Sequence, residues 1–396
     1  MRVLYISSVY KPAYVYGGPA RSVPSLCEGL AESGADIEVL TTNAHRRTRL
    51  DVPLNRRLEV DGVPVTYFPI VGERYFYAPA LVEAARRQVQ GFDMVEIDAL
   101  FSALFEPVAA VCRRAGIPYV VPPRGQLLPW ALQEKRWKKM LYLRLAGRRS
   151  LNAAAGIHCT DAVEAESLQR AGVRAPSFVV PNGLEIRASP APGSGRPLRI
   201  QLGIPDSARL LLFVGRFHRV KRLDVAVATL AAIESAHLLL AGPDEEHLEA
   251  SLRKQASASG CAHRLHFLPI QSSDSLQRIY AAADLFVLPS EMESFGMAAA
   301  EAMASGLPVL FSDKVPLGRW AEAAHAGVMA PNRVDEFARA ALGLLTLPRE
   351  ALLAMGARAR QCAASRFERT VTARMFLDCV GRLCGAGKRA PGVFYT

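Results

Sequence analysis

Two doubly wound α/β domains, each built on a parallel β-sheet, are predicted from three observations. The chain has 396 residues, half of them hydrophobic and 21% charged, which suits two compact domains and excludes a disordered or fibrous chain. Short Val/Ile/Leu runs alternate with helical stretches from the start, as in sheets covered on both faces. A segment rich in Pro, Gly and Ser divides the alternation near its middle.

In the first half, strands are expected at residues 3–7, 37–41, 63–68, 94–97, 119–121, 157–159 and 178–180. The opening apolar run is too short for a signal-peptide core, and no run in the chain reaches the ~18 residues of a membrane span. Residues 187–197 hold three prolines and two glycines, so an N-terminal Rossmann-like domain at 1–186 is followed by a linker at 187–197. Strands at 210–214, 238–241, 265–268, 285–288 and 309–311 then build the second domain, 198–366. Two such units facing each other would form a cleft at the carboxyl ends of their strands.

Seven scattered cysteines without a C-x-x-C pair point to neither a disulfide framework nor a zinc site, and to the cytoplasm as compartment. The formal charge is +11, yet residues 113–149 hold ten cations and a single acid, Glu134. On a helical wheel Lys135, Lys138, Lys139 and Arg149 fall together, with Trp137, Met140, Leu141 and Leu145 opposite. This basic stretch, Arg136 included, fits two readings: a solvated helix face, or peripheral docking on an anionic membrane. No nucleic-acid module accompanies the charge, which argues against that partner.

The chemistry concentrates after the strand at 285–288, where residues 289–306 read PSEMESFGMAAAEAMASG, a loop and a helix ended by glycine. A helix starting near Phe295 or Gly296 directs its free N–H groups and positive end at the strand edge, a place for phosphate. Gly296 leaves room for an anion to approach the backbone. Glu293 precedes that start and Glu301 lies in the second turn, so two carboxylates flank one anion site and suit two polyols on either side of a diphosphate. Counter-charges follow the strand at 210–214, in Gly215-Arg216-Phe217-His218-Arg219-Val220-Lys221. There Arg216 can grip a phosphate through two N–H groups and Lys221 adds a point charge.

This combination resembles glycosyltransferase family 4 on the GT-B fold, two facing Rossmann-like domains with a central cleft. The resemblance implies an enzyme that moves a sugar from a nucleotide-diphosphate sugar, with retention of anomeric configuration, to a glycan or lipid-linked saccharide in cell-surface polysaccharide or lipopolysaccharide synthesis. It also implies roles: Glu293 at the donor sugar's hydroxyls, Glu301 at the ribose, Arg216 and Lys221 at the pyrophosphate. Ser294, Phe295, Gly296 and Met297 would line the donor, and Gly17 and Gly18, after the first strand, would reach its phosphate. The nucleotide sugar is then a co-substrate, with no cofactor and no obligatory metal expected. The segment Val180-Pro181-Asn182-Gly183-Leu184-Glu185 is similar to the family's inter-domain signature, and residues 367–396 would form a helix crossing back to the N-terminal domain, and a tail. Many relatives carry a histidine after the fifth strand where Arg124 stands here, within Pro122-Pro123-Arg124-Gly125. An arginine cannot act as a base, but it can bind an acceptor phosphate or neutralise the donor, so Arg124 joins Glu293, Arg216 and Lys221 among the expected catalytic residues. Glu96 and Asp98 read as strand-end carboxylates, His158 as a satisfied interior histidine, and Glu164 as a first-turn acid.

A glycoside hydrolase would need facing carboxylates without a cationic grip. A nicotinamide enzyme would need Gly-x-Gly-x-x-Gly at its first turn, and neither half has it. A non-catalytic nucleotide-sugar-binding protein on the same fold remains the alternative.

Overall fold

The computed structural model describes residues 1–72, 75–189, 191, 193–269, 271–385 and 393–395. Pro190 and Pro192 of the expected linker, and most of the tail, lie outside the described residues. The chain divides into two compact units, Met1–Glu185 with Glu368–Thr396, and Ile186–Phe367. The linker stretch thus belongs with the second unit, where the Arg187 carbonyl accepts a hydrogen bond from Arg360 at 2.6 Å.

The first unit is built on strands β1 (Arg2–Ser7), β2 (Asp36–Thr42), β3 (Arg57–Val60), β4 (Val63–Phe68), β5 (Met94–Asp98), β6 (Tyr119–Val121), β7 (Gly156–Cys159) and β8 (Ser177–Val179). With a last strand, Val393–Tyr395, beside β8, the sheet runs Val393–Tyr395, β8, β7, β6, β5, β1, β2, β4, β3. All pairings are parallel except β3 with β4. The inner strands are apolar and buried on both faces: Val3, Leu4, Tyr5 and Ile6 of β1 are all fully enclosed. The order reverses between β1 and β5, so the loops that follow these neighbours open at adjacent carboxyl ends.

Helix Arg369–Gly385 packs on helix Pro19–Glu32 within this unit. Its Arg369 pairs with Glu28 at 2.6 Å and with Glu32, its backbone N–H donates to the Leu184 carbonyl at 3.0 Å, and Phe376 packs among Phe178 and His158. Gly29 lets the helices meet, since a Cβ there would overlap the Arg369 carbonyl.

The basic segment is less regular than a single amphipathic helix. Lys135 is left-handed, with φ 52°, so the helix begins only at Arg136 and runs to Tyr142, widening over Leu143–Gly147. Lys139 departs from the expected basic face: its ammonium donates to the Ala131 carbonyl at 2.5 Å and sits 5.4 Å from the Phe101 ring, with burial lowering its pKa. Trp137, Met140, Leu141 and Leu145 face solvent, Trp137 68% and Leu145 73% exposed.

The second unit holds β9 (Arg209–Val214), β10 (Ala236–Ala241), β11 (Leu265–Leu268), β12 (Leu285–Leu288), β13 (Val309–Ser312) and β14 (Gly327–Ala330) in the order β11, β10, β9, β12, β13, β14, all parallel. Here the reversal falls between β9 and β12, and the loops that follow these two strands carry the cationic and the acidic motif. Among the described residues no single helix is long and apolar enough to cross a membrane.

The packing predicts opposite signs for one substitution at two helical glycines. Gly29→Ala should destabilise the first unit by about 1–3 kcal/mol through overpacking. Gly343→Ala in helix Val334–Leu345, where an added Cβ meets nothing within 4 Å, should stabilise by roughly 0.5–1 kcal/mol. Denaturant unfolding of both variants checks this; a stabilising Gly29→Ala would contradict the close approach.

Candidate functional site

In the second unit, the loop after β9 leans on the loop after β10. Gly215 and Phe217 donate to the carbonyls of Ala241 and Pro243 at 2.9 and 2.8 Å, and Gly242 has no side chain to collide with the Gly215 carbonyl. The chain then forms a short turn over Arg219–Lys221, in which the His218 ring nitrogen accepts from the Val220 N–H at 3.2 Å. That turn meets the loop after β12 through the backbone, the Glu291 N–H donating to the Val220 carbonyl at 2.8 Å.

Across the same junction the Lys221 ammonium donates to Glu293 Oε1, which also accepts from the Ser290 hydroxyl at 3.1 Å. Both partners are largely withdrawn from solvent. Arg216 is half exposed and pairs at 2.7 Å with Glu245 from the loop after β10. Just beyond Glu293, helix Met297–Ala304 starts from Gly296, whose φ of 96° suits glycine. No side chain caps this helix, and the Ala299 and Ala300 N–H groups bond to the Gly296 carbonyl at 2.9 and 3.0 Å. A cation, a carboxylate and an uncapped helix start thus share one sheet edge.

Glu301, in the second turn of this helix, accepts from the Tyr280 hydroxyl, 3.0 Å from Oε2. Ser294 and Met297 are half-buried in the loop and first turn. The Phe295 ring is enclosed edge-on against Phe367, centroids 5.4 Å apart. Gly17 and Gly18 belong to the first unit, between the turn Tyr14–Tyr16 and helix Pro19–Glu32. Gly17 is left-handed, with φ 73°, and the Gly18 carbonyl accepts the Arg21 and Ser22 N–H groups at 3.0 and 2.9 Å.

Arg124 is enclosed among polar partners of the first unit. Its side chain is 5% exposed and pairs with Asp98 at 3.0 Å, while its other nitrogens donate to Asn182 at 2.5 Å, Ser22 at 3.3 Å and the Tyr5 hydroxyl at 2.9 Å. Burial opposes its charge, but Tyr5 and Asp98 outweigh that and raise its pKa, so it remains a guanidinium. Burial and the neighbouring Glu96 hold the Tyr5 hydroxyl far above its ordinary pKa, although Arg124 draws it down. The next N–H, Gly125, donates to Glu164, which also accepts from the Thr160 backbone and hydroxyl at 2.8 and 3.0 Å. Burial raises the Glu164 pKa against these bonds. Glu164 is therefore an interior tie and more than a first-turn acid. Glu96 pairs with His158 at 3.0 Å, and the other ring nitrogen of His158 meets the Val180 carbonyl at 3.0 Å, a satisfied interior histidine as expected.

Sequence reasoning missed Glu245, Tyr280 and Asn182 as partners of the predicted residues. Glu245 had a signal, four residues past the end of β10. Asn182 lies in the segment 180–185 already singled out by its resemblance, whereas Tyr280 had none.

The pattern described as Glycosyl transferases group 1 matches residues 196–362, and that of the Glycosyl transferase 4-like domain matches residues 17–183. The chain belongs to the group 1 glycosyltransferases. It is 39% identical over 135 residues to a D-inositol 3-phosphate glycosyltransferase of Mycolicibacterium gilvum, covering 33% of this chain and 30% of that protein. It is 35% identical over 231 residues to the same-named protein of Geodermatophilus obscurus, covering 54% of this chain and 50% of that one. The matched stretch thus spans half or less of each of these curated relatives. Among solved structures, Anabaena HepE in complex with UDP and glucose superposes with a TM-score of 0.77 at 19% identity, covering 96% of this chain and 99% of that one. This GT-B glycosyltransferase fold is the one the sequence resembled.

The inward Arg124 makes a stability prediction. Arg124→Met leaves Asp98 buried without its cation and should cost about 3–5 kcal/mol of unfolding free energy. Arg124→Lys should recover less than half, because one ammonium cannot reach four acceptors spread around a planar fork. A loss below ~1 kcal/mol in urea unfolding would show that Arg124 is not the tie described.

Proposed function

We propose that the protein is an active, retaining glycosyltransferase that moves a sugar from a nucleotide-diphosphate sugar to a hydroxyl of a glycan or lipid-linked saccharide in cell-surface polysaccharide synthesis. The observation that carries this reading is the meeting of Lys221 and Glu293 beside an uncapped helix start, where the strand order of the second sheet reverses. A sugar diphosphate offers matched partners to all three: phosphate oxygens to Lys221 and the helix N–H groups, sugar hydroxyls to Glu293. Arg216 adds a second cation once it exchanges Glu245 for phosphate, and Glu301 accepts the ribose hydroxyls. Gly17 and Gly18 offer backbone to the donor phosphate.

In the transfer, the bond from the anomeric carbon to the diphosphate oxygen breaks and a bond to the acceptor oxygen forms on the same face. The acceptor's proton passes to the departing phosphate oxygen. Lys221, Arg216 and the helix start stabilise the charge that develops on the leaving group, in place of a metal.

The full-length chain, given UDP-, GDP- and ADP-sugars with candidate acceptors, should release free nucleotide from at least one donor. Glu293→Gln and Lys221→Met should each lower that rate by about 10²–10³-fold, whereas Arg253→Gln, on an outer helix paired with Glu249, should not. A chain that binds the nucleotide sugar but never releases nucleotide would instead be the non-catalytic binding protein.

We also propose peripheral contact with the cytoplasmic face of an anionic membrane. The exposed Trp137, Met140, Leu141 and Leu145, with Lys135, Arg136 and Lys138 around them, support it: apolar side chains enter the headgroup boundary and cations attract the lipid charge. The protein should float with phosphatidylglycerol vesicles at low salt and stay behind with pure phosphatidylcholine. Trp137→Ser/Leu145→Ser should weaken flotation; flotation unchanged by it, or absent in the wild type, discards the membrane contact.

A further inference from the structure

Phosphate binding takes from Glu293 a partner that fixes it. The carboxylate accepts from the Lys221 ammonium, and both side chains are largely enclosed. In the proposed donor complex that ammonium turns to the diphosphate. Glu293 then loses one of its ties just when its alignment on the sugar hydroxyls matters. A glutamate side chain has several rotatable bonds, and ordering them on binding weakens the complex unless another group already holds them.

Ser290, two residues past β12 and fully enclosed, is placed to be that group. A serine hydroxyl has a single proton to give, and this one goes to Glu293 Oε1 at 3.1 Å. Among the described residues both side-chain bonds of Glu293, from Lys221 and from Ser290, fall on that one oxygen, and Oε2 holds none. The carboxylate is gripped by one corner, with its second oxygen left for a ligand hydroxyl.

Ser290 is itself tied on both sides. Its carbonyl accepts from the hydroxyl of Ser312, the last residue of β13, which is fully enclosed as well. The Ser312 hydroxyl in turn accepts the Lys314 N–H at 3.3 Å. The strands that carry the two serines pair in register, Leu288 beside Phe311. One residue further along the loop, the Glu291 N–H bonds to the Val220 carbonyl at 2.8 Å. The Ser290 hydroxyl therefore rests on two neighbouring strands and on the backbone of a third loop.

The chemistry of the two ties differs. An ammonium is drawn to phosphate, whose charge exceeds that of a carboxylate, so the Lys221 bond is exchangeable. The Ser290 bond is not exchanged so readily, because an enclosed hydroxyl whose acceptor swings away is left without a partner, and that penalty opposes the movement of Glu293. A hydroxyl that donates to an ionised acceptor also makes a stronger bond than one between neutral groups.

We infer that Ser290 is a positioning residue for the donor sugar: it keeps Glu293 aligned on the sugar hydroxyls while Lys221 passes to the diphosphate, and Ser312 fixes Ser290 in turn. The inference rests on the nucleotide-sugar reading of this sheet edge. Ser290 touches no substrate in this arrangement and acts only through Glu293.

Calorimetry on the full chain tests it by comparing a nucleoside diphosphate with its own sugar conjugate: UDP with UDP-glucose, GDP with GDP-mannose and ADP with ADP-glucose. The free diphosphate reports on Lys221 and the helix start, and only the conjugate reports on Glu293 and the sugar. Ser290→Ala should weaken the conjugate about tenfold and the free diphosphate by less than about twofold. Ser290→Cys, close in size but a weaker donor, should fall between wild type and alanine. In a Glu293→Ala chain, where the acceptor is gone, Ser290→Ala should weaken the conjugate by less than about a further twofold. Equal losses for both ligands, no loss for either, or a full further loss on top of Glu293→Ala would each overturn the role of Ser290 and leave the donor site standing. If no pair binds, or if Glu293→Ala leaves the conjugate's affinity unchanged, the donor reading of this edge fails and the inference falls with it.

Discussion

A lysine and a glutamate drawn from two loops, both largely shielded from water, share one ion pair at the edge where the second sheet reverses its strand order. Removing two charges from water costs several kcal/mol per ion, and their mutual attraction rarely returns more than that. Such a pair is thus poorly explained as a device for stability. Its position is fixed by the parallel register of β9 and β12, which aligns Leu212 with Phe286, and by the backbone bond from Glu291 to Val220. Both charges are thereby held in advance of any ligand, with little reorganisation left for binding or for the reaction.

The first unit organises its own edge by a different means, a polar interior. Arg124 joins the end of β5 to β1, to the first helix and to Asn182, while His158 joins β7 to Glu96 on β5 and to the Val180 carbonyl. A carbonyl only accepts, so the ring nitrogen facing Val180 carries a proton, and the opposite nitrogen and Glu96 share another between them. Buried networks of this kind are worth their desolvation only when nearly every member is satisfied. Here they brace the segment on which helix Arg369–Gly385 is seated.

The inner strands were legible because burial on both faces writes a continuous apolar run, as in Leu210-Leu211-Leu212-Phe213. The edges were not. β3 alternates exposed and half-buried residues and leaves through the left-handed pair Asp61-Gly62, φ 50° and 76°, a two-residue hairpin turn into β4 that breaks no apolar run. β14 begins on a glycine pressed against the Val309 carbonyl, and a four-residue edge strand leaves little pattern. The motifs around Arg216 and Glu293 could be read because each directly follows a strand. The inward turn of Arg124 could not, since it depends on Tyr5, Ser22, Asp98 and Asn182 converging from distant parts of the chain. Lys139 is a similar case, in which residue type suggested a surface and packing decided otherwise.

The account stands on where a sugar diphosphate comes to rest, and a crystal structure of the chain with a bound UDP-sugar measures that directly. It should show the diphosphate within hydrogen-bonding distance of Lys221 and of the N–H groups that open helix Met297–Ala304, with the Lys221–Glu293 contact exchanged for phosphate and sugar hydroxyls. A donor bound elsewhere, with that ion pair intact, would contradict it.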